Sequence, residues 1–356
     1  MILNELPSRL GEWLRGTGAD ADVVISTRIR LARNIAGLPF ITRLNTTQKA
    51  EVETRITNLI ANLGSDFPLH YVPVHLLDEL DRQLLVERQL ISRELANVIE
   101  GPRGVAFDDR ESISLMINEE DQLRIQSIRS GFDLETAWNQ IDRLDDEIES
   151  RIEYAFSEEF GYLTACPTNV GTGMRASVML HLPALTMTKQ IEMAFKALQR
   201  INLVVRGLYG EGSHALGDLF QISNQVTLGV SELACLNDIR TVIFEVIKYE
   251  RMARNTLVRE ARQMLIDKIA RALGTLQSAT MMESQETLEL LSAVRLGVQL
   301  QLISDFSVGN INLIFQQTQS AHLQKLRGSL LEGEARNFER ATFVRKKLKD
   351  VRITAS

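Results

Sequence analysis

Two arginines share one face of a segment that alternates between apolar and polar residues. In residues 21–31, ADVVISTRIRL, the period of two predicts a strand, and it places Ser26, Arg28 and Arg30 on the same side. Like charges two residues apart repel each other, so an anion lying across them would explain the pattern. A solvated sheet face is the alternative, and this segment alone leaves both open.

A glycine-rich loop enters a second alternating segment within residues 160–183, FGYLTACPTNVGTGMRASVMLHLP. Arg175 lies where the loop becomes a predicted strand, and a cation beside turn amides suits an anion such as phosphate. The spacing Gly171-x-Gly173-x-x-Ala176 matches the dinucleotide fingerprint, but a strand pattern follows it where the fingerprint requires a helix. An ordinary turn with a solvated arginine is the alternative.

Further charged residues occur at the ends of other predicted strands. Residues 112–128 predict two strands joined by an acidic turn, with Arg124 on the second strand. Arg206 directly follows a strand predicted over residues 201–205, and Glu211 lies in the glycine-rich loop after it. Arginines on inward strand faces need a multivalent anion to offset them, and a nucleotide triphosphate with Mg²⁺ fits.

The carboxylates in these loops suit a cationic ligand and not a phosphate. Glu120 in the acidic turn and Glu211 would repel a phosphate, so they suit a cationic acceptor such as a planar guanidinium, which two carboxylates can hold by its paired N–H groups. Attack by a guanidinium nitrogen requires the loss of a proton, which either glutamate could accept. The predicted chemistry is phosphoryl transfer from a nucleotide to a guanidinium.

Composition narrows the class of protein. The 356 residues, 44% of them hydrophobic, suffice for two domains, and the formal charge of −6 argues against a general nucleic-acid binder. Cys166 and Cys235 lack metal-ligand spacing, which indicates a reducing compartment. Since no stretch of about 18 apolar residues occurs, we expect a soluble cytoplasmic protein.

The sequence pattern changes near residue 232, from mixed strands and helices to helices only. The first two-thirds is rich in strands, and the last third reads as helices only. The predicted helices cover residues 47–61, 76–99, 132–155, 186–200, 232–254 and 256–273, a segment with Ser284 as N-cap, and 334–349.

Four segments in order resemble the ATP:guanido phosphotransferases, the creatine and arginine kinase family. They are STRIRLARN (26–34), NEEDQLRIQS (118–127), CPTNVGTGMRASV (166–178) and VRGLYGEG (205–212). The last third, including ELLSAVRLGVQL (289–300) and QSAHLQKL (319–326), resembles the bacterial McsB-type branch of protein arginine kinases. The resemblance implies an α+β fold, with an antiparallel sheet flanked by helices in a catalytic domain (15–231) and an all-helical C-terminal domain (232–356).

The resemblance also implies roles for individual residues. Catalytic positions are Glu120 and Glu211, which hold the guanidinium, and Cys166, whose thiolate touches it. Glu119 falls on the acid associated with Mg²⁺, with no metal held directly by a protein cage. The implied ATP-binding residues are Ser26, Arg28, Arg30, Gln89, Arg124, Arg175 and Arg206.

This chain departs from the family pattern at three places. Gln89 and Gln122 stand where the family commonly has histidine, which predicts weaker contact with adenine. In the last helix, Arg336, Asn337 and Arg340 fall on positions associated with phosphoarginine binding, and Asn337 replaces an aspartate. A solvated basic surface is the alternative for that helix.

The function implied is an ATP-dependent protein arginine kinase in stress response and Clp proteolysis. Only 25 residues precede Ser26, where free-arginine enzymes have a helical lobe, so an open acceptor site favours arginine on a protein. Implied partners are protein substrates, a zinc-binding activator, a heat-shock repressor, a Clp ATPase and a second copy of the chain in a homodimer, with neither a membrane nor nucleic acid. The alternatives are a free-guanidino kinase, or an adaptor that binds arginine-rich or phosphorylated partners without turnover.

Overall fold

A large antiparallel sheet organises the first two-thirds of the chain. The computed structural model describes residues 2–97, 100–199, 203–207 and 216–354, so the predicted catalytic Glu211 lies outside the described residues. Within them the strands of this sheet are β1 (Val24–Arg33), β2 (His70–Pro73), β3 (Gly104–Phe107), β4 (Ile113–Ile117), β5 (Leu123–Ser130), β8 (Met174–His181), β9 (Leu203–Gly207) and β10 (Leu219–Asn224). A separate hairpin pairs β6 (Phe156–Ser157) with β7 (Gly161–Tyr162).

The strand order is β2-β3-β4-β5-β1-β8-β10-β9, and every pairing in it is antiparallel. The predicted fold class is confirmed. β1 lies near the centre because its alternate residues Ile25, Ile29 and Leu31 are apolar and fully buried in the main core. Its other face turns Ser26, Arg28 and Arg30 away from that core.

Helices cover both faces of the sheet and form the last third of the chain. They are α1 (Thr46–Ala61), α2 (Glu79–Glu87), α3 (Arg93–Asn97), α4 (Leu134–Glu149), α5 (Pro183–Met187), α6 (Ile191–Gln199), α7 (Glu232–Glu260), α8 (Arg262–Ser278), α9 (Ser284–Gln299), α10 (Val308–Gln317), α11 (Ser320–Arg327) and α12 (Gly333–Leu348). No helix among the described residues has the length and apolar character needed to cross a bilayer.

The helix predicted over residues 76–99 is wrong as a single element. α2 ends at Glu87, and Gln89 has a φ of +61°. Such a conformation is costly for a residue with a Cβ, and tertiary contacts hold it here. Arg88 is fully buried and donates to both carboxylate oxygens of Glu111, while the Gln126 Nε2 group donates to the Gln89 carbonyl at 2.7 Å.

Other predicted helices also differ in their bounds. The helix predicted over 232–254 runs on to Glu260, and the one predicted over 256–273 begins at Arg262 and ends at Ser278. The segment predicted over 186–200 is divided into α5 and α6, and α9 begins one residue earlier than expected, with Glu283 as its N-cap. The acid-rich helix α4 is not solvated all round, because Leu134, Ile141, Leu144 and Ile148 are buried against the main core.

The C-terminal helices pack directly on the catalytic region through α2 and α11. The Glu87 carboxylate accepts hydrogen bonds from the backbone amides of Ala321 at 2.8 Å and His322 at 3.0 Å, which caps the start of α11. It also contacts His322 Nδ1 at 2.8 Å. Buried carboxylate bonds of this kind fix the position of α11 relative to the loop that carries Gln89.

Candidate active site

Five arginines lie on one face of the sheet over four of its strands. Arg28 and Arg30 project from β1, Arg124 from β5, Arg175 from β8 and Arg206 from β9. The register places Arg30 directly opposite Arg175, and pairs Arg206 with Gln221, whose other neighbour is Met179. The sequence therefore grouped these side chains correctly, since strand alternation and antiparallel pairing put them on a common face.

Not every arginine of β1 belongs to this set. Arg33 has the opposite parity, is buried and donates to Asp145 Oδ2 at 2.6 Å. Its guanidinium also lies 3.6 Å from the centroid of the Tyr162 ring. Arg33 is thus neutralised within the fold, whereas Arg28 and Arg30 have no carboxylate partner among the described residues.

Arg28 is held by two amide oxygens. Its Nη1 donates to Gln89 Oε1 at 2.9 Å, and its Nη2 donates to Gln221 Oε1 at 3.0 Å. Burial, together with the charges of Arg124 and Arg175, lowers the pKa of Arg28 to about 10. The guanidinium therefore stays protonated at neutral pH, but its charge is offset only by neutral dipoles.

Arg30 is less well satisfied. Its Nε is buried and has no hydrogen-bond partner among the described residues. Burial lowers the pKa of Arg30 well below its usual value, and Arg28, Arg124 and Arg175 act in the same direction. A cation directly opposite Arg175, with this little compensation, is an arrangement that an anion would stabilise.

A cavity of about 400 Å³ opens on this face, a volume suited to a small-molecule ligand. Arg28, Arg30 and Arg206 line it together with Gln89 and Gln221. The exposed residues Arg93 and Glu94 of α3 lie at its wall. The predicted ATP-binding residues Arg124, Arg175 and Ser26 do not line this cavity, although all three are on the same sheet face.

The acidic turn between β4 and β5 lies next to the cationic face. Glu119 is buried, and its Oε1 accepts from Arg124 Nη1 at 2.7 Å and from Ser92 Oγ at 2.6 Å. Burial alone would raise the pKa of Glu119, but the charge of Arg124 and these hydrogen bonds outweigh it and lower the pKa. Glu119 is therefore ionised at neutral pH.

The pKa of Glu120 is shifted in the opposite direction. Its side chain is exposed at the tip of the turn, and partial desolvation followed by the repulsion from Glu119 raises its pKa. Two adjacent carboxylates whose pKa values move apart in this way divide into a permanently charged group and a potential proton acceptor.

Asp121 connects this turn to the loop that carries Cys166. Its Oδ1 accepts from the Asn34 Nδ2 group and from the backbone amide of Ala165, each at 2.7 Å. Since Glu120 precedes Asp121 and Cys166 follows Ala165, this bridge brings the two predicted catalytic residues into neighbouring loops. The half-buried Cys166 Sγ lies 3.0 Å from Thr168 Oγ1.

The loop that carries Cys166 requires glycine at position 171. Gly171 has a φ of +112°, and a Cβ at this position would lie 2.2 Å from the Thr227 carbonyl oxygen. The loop therefore packs against the residues after β10 more closely than any side chain would allow. This packing sets the start of β8 and the position of Arg175.

Gln122 lies away from the cavity, and its effect on adenine affinity stays a prediction. Its side chain is fully buried, accepts from the Ile35 amide at 2.9 Å and donates to the Pro39 carbonyl at 2.8 Å. It holds the segment after β1 and does not line the cavity. Gln89, a predicted ATP-binding residue, lines the cavity and also positions Arg28.

The predicted phosphoarginine-binding residues lie in α12. Arg340 is 1% exposed and donates to the carbonyls of Thr318 and Met282, each at 2.9 Å, and to Asn337 Oδ1 at 2.7 Å. The alternative prediction, a solvated basic surface, is therefore wrong for Arg340. Arg336 is half-buried. A role of these residues in phosphoarginine binding stays a prediction.

Several residues of the site were missed from the sequence: some line the cavity, as Gln221 does, and Ser223 contacts Arg175. Gln221 and Ser223 alternate with apolar residues in LFQISN, so the period of two could have revealed β10. Ser223 Oγ accepts from Arg175 Nη2 at 3.2 Å. Trp13, Phe315 and Ser320 also line the cavity, but no local pattern marks them.

Comparison with known proteins identifies the family of this chain. The family model of the ATP:guanido phosphotransferase C-terminal catalytic domain matches residues 51–253. That of the protein-arginine kinase McsB C-terminal domain matches residues 262–356. The chain belongs to the ATP:guanido phosphotransferase family.

Relatives within this family match along nearly the whole chain. The protein-arginine kinase of Halothermothrix orenii is 43% identical over 349 residues, which cover 98% of this chain and 99% of that protein. The protein-arginine kinase of Symbiobacterium thermophilum is 44% identical, covering 97% of this chain and 99% of the relative. Membership therefore extends to the helical last third.

Solved phosphotransferases share the fold. Lombricine kinase matches with a TM-score of 0.59 and 27% identity, over 69% of this chain and 70% of that one. The duplicated taurocyamine kinase of Schistosoma mansoni, with bound transition state analog components, matches with a TM-score of 0.60 and 28% identity. That match covers 69% of this chain and 35% of the longer duplicated protein.

Proposed function

We propose that this chain is an ATP-dependent kinase that transfers the γ-phosphoryl group to arginine side chains of proteins. The observation that carries the proposal is the change of charge along one sheet face. Arg28 and Arg30 line a cavity without carboxylate partners, and the acidic turn with Glu119 and Glu120 follows at the end of the neighbouring strand pair. A polyanionic donor and a cationic acceptor would meet where the two regions adjoin.

The arginines bind and align the donor. A triphosphate placed across Arg28, Arg30, Arg175 and Arg206 replaces the repulsion between these cations with charge-assisted hydrogen bonds, each worth roughly 1.5–3 kcal/mol. The same groups stabilise the charge that spreads over the transferring phosphoryl oxygens. Catalysis then depends on alignment, and no covalent enzyme intermediate is needed.

The acceptor arginine gives up one proton during the reaction. A guanidinium nitrogen forms the new bond to the γ-phosphorus, the bond from that phosphorus to the bridging oxygen of ATP breaks, and ADP leaves with the electron pair. Glu120 takes the nitrogen proton, which its raised pKa favours. We assign the second carboxylate to Glu211 and a polar contact with the guanidinium to Cys166, as the family resemblance implies.

Mg²⁺ fits the residues present if it is held mainly by the nucleotide. Among the described residues no group of three or more His, Cys, Asp or Glu side chains could hold a metal ion. Glu119 is ionised, and among the described residues its Oε2 accepts only from the Glu120 amide, so this oxygen keeps a lone pair for a further ligand. Bound Mg²⁺ would neutralise phosphate charge.

Arginine on a protein is the proposed acceptor because the relatives that match the whole chain are named protein-arginine kinases. The proposal includes the partners implied by the family: a homodimer, a zinc-binding activator, a heat-shock repressor and a Clp ATPase, within stress response.

Transfer from labelled ATP tests the proposal. The chain is incubated with γ-labelled ATP and with casein or free arginine, and the products are separated at alkaline pH because the N–P bond is labile in acid. We expect label on casein that acid removes, and none with Glu120→Gln. Label on free arginine alone would establish the free-guanidino kinase. No transfer, together with no binding of millimolar ATP in calorimetry, would favour the adaptor.

A further inference from the structure

The cavity on the cationic face has a second wall that comes from the C-terminal helices. Phe315 of α10, together with Gln319 and Ser320 at the start of α11, lines the same cavity as the sheet residues. Phe315 is 9% exposed, and its ring packs edge-on against Trp13, with centroids 6.1 Å apart. Aromatic and amide groups on this wall suit a flat heterocycle and not a phosphate.

The position of Trp13 shows which end of a nucleotide would meet this wall. Trp13 lies in a short 3₁₀ helix, Glu12–Leu14, that packs against β1 and β5, and it borders a small void together with Ser26. Ser26 pairs with Ser130 at one end of β1, whereas Arg33 pairs with Leu123, next to the acidic turn, at the other end. Trp13 is therefore at the end of β1 away from the acceptor carboxylates.

Along the direction of β1, the acidic turn lies at one end, the arginines lie in the middle and Trp13 lies at the other end. At about 3.3 Å per residue, Arg30 and Ser26 are separated by roughly 13 Å, a span suited to an extended nucleotide triphosphate. The γ-phosphate must face the acceptor, so the nucleoside points toward Trp13 and its edge-on neighbour Phe315. We propose that Trp13 and the C-terminal residues Phe315, Gln319 and Ser320 form the wall that binds the base and ribose of ATP. This inference rests on the proposed kinase function.

A bulky side chain at the start of α11 tests the proposal. Ser320 is half-buried, and the wild-type side chain makes no hydrogen bond within the described residues. Ser320→Tyr should fill the nucleoside end and leave the arginines accessible. Calorimetry with ATP and with inorganic tripolyphosphate separates the two ends, because tripolyphosphate lacks base and ribose.

We expect Ser320→Tyr to weaken ATP binding at least about fivefold, the lower limit for losing one stacked base, and to change tripolyphosphate affinity less than about twofold. Ser329→Tyr, on the exposed segment after α11, is the matched control and should bind both ligands as the wild type does. Unchanged ATP affinity of Ser320→Tyr, or equal loss for both ligands, would refute the nucleoside wall. Wild-type protein that binds neither ligand would instead refute the nucleotide site itself.

Fluorescence supplies a second test that needs no substitution in the wall. The chain has two tryptophans, so Trp138→Phe leaves Trp13 as the sole indole emitter. ATP should change its emission with saturation, and tripolyphosphate should change it less. Equal responses to the two ligands would mean that the nucleoside does not reach Trp13, and the proposal would be wrong.

Discussion

Replacing Arg30 by methionine is expected to stabilise the ligand-free protein and to weaken its binding of ATP. Arg30 lies opposite Arg175, its Nε has no partner among the described residues, and its pKa is lowered well below the usual value by burial and by three neighbouring arginines. Methionine keeps most of the side-chain volume and removes the charge. Within the part of the chain that the structure describes, the substitution therefore removes a repulsion and breaks no hydrogen bond.

Arg28 gives a scale for this repulsion. Its pKa is about 10 against an ordinary 12.5, and at about 1.36 kcal/mol per unit this difference corresponds to roughly 3 kcal/mol. Since the folded-state pKa is the lower one, the penalty is fully present at neutral pH and is lost only as pH rises through 10 toward 12.5. Allowing for partial exposure of Arg30, we expect a gain of about 1–3 kcal/mol, or about 1–4 °C in Tm.

ATP binding should change in the other direction. Loss of one charge-assisted contact to a phosphate corresponds to about 10- to 150-fold in Kd. Thermal unfolding with and without ATP measures both effects, because Arg30→Met should start from a higher Tm and gain less from the nucleotide.

Arg124→Met is the matched control on the same sheet face. Arg124 pairs with buried Glu119, and the charge of that carboxylate outweighs burial and raises the pKa of Arg124. Its removal leaves Glu119 without its cation and should destabilise the protein by about 3 kcal/mol. A lower Tm for ligand-free Arg30→Met, or an ATP-induced shift equal to that of the wild type, would refute the reasoning.

Four further predictions follow from the site and from α12. Glu120→Gln should lower kcat by at least about 100-fold with little change in Tm, because the side chain is exposed; near-wild-type turnover would contradict its role as proton acceptor. The raised pKa of Glu120 should place the acidic limb of kcat/KM above pH 4.5, and Glu119→Gln, which removes a repelling charge, should move that limb to lower pH; an unmoved limb would assign it to another group. Gln122→Ala should destabilise the fold by about 1–3 kcal/mol because it leaves the buried Ile35 amide without its acceptor, while the ATP affinity of the folded protein, measured by calorimetry, stays unchanged. Asn337→Asp should raise Tm because the amide oxygen that accepts from buried Arg340 Nη1 becomes a carboxylate oxygen, and a fall in Tm would count against that geometry.

Strand faces were the most predictable part of this protein. Alternation in β1 and around Arg175 reports directly which side chains share a face, and antiparallel pairing brings Arg30 and Arg175 together without further information. The acidic turn was also predictable, since Asn118, with a φ of +58°, is a residue type that tolerates this conformation.

The loop at Gln89 shows why other parts were not predictable. LLVERQLIS contains no glycine or proline, so local propensity continues the helix. The chain leaves it because buried Arg88 must reach Glu111, a partner on a different segment. The wall formed by Phe315 and Ser320 depends in the same way on contacts between residues almost 300 positions apart.

The cap on α11 has a consequence for experiments with shortened chains. Glu87 binds the first amides of α11, and only Arg88 separates it from Gln89, which holds the guanidinium of Arg28. A fragment that stops after α7 would lose both the cap and one side of the nucleotide cavity. Kinetic constants measured on such a fragment would therefore describe an altered active site. A small molecule that separates α11 from α2 is expected to inhibit the enzyme without resembling ATP.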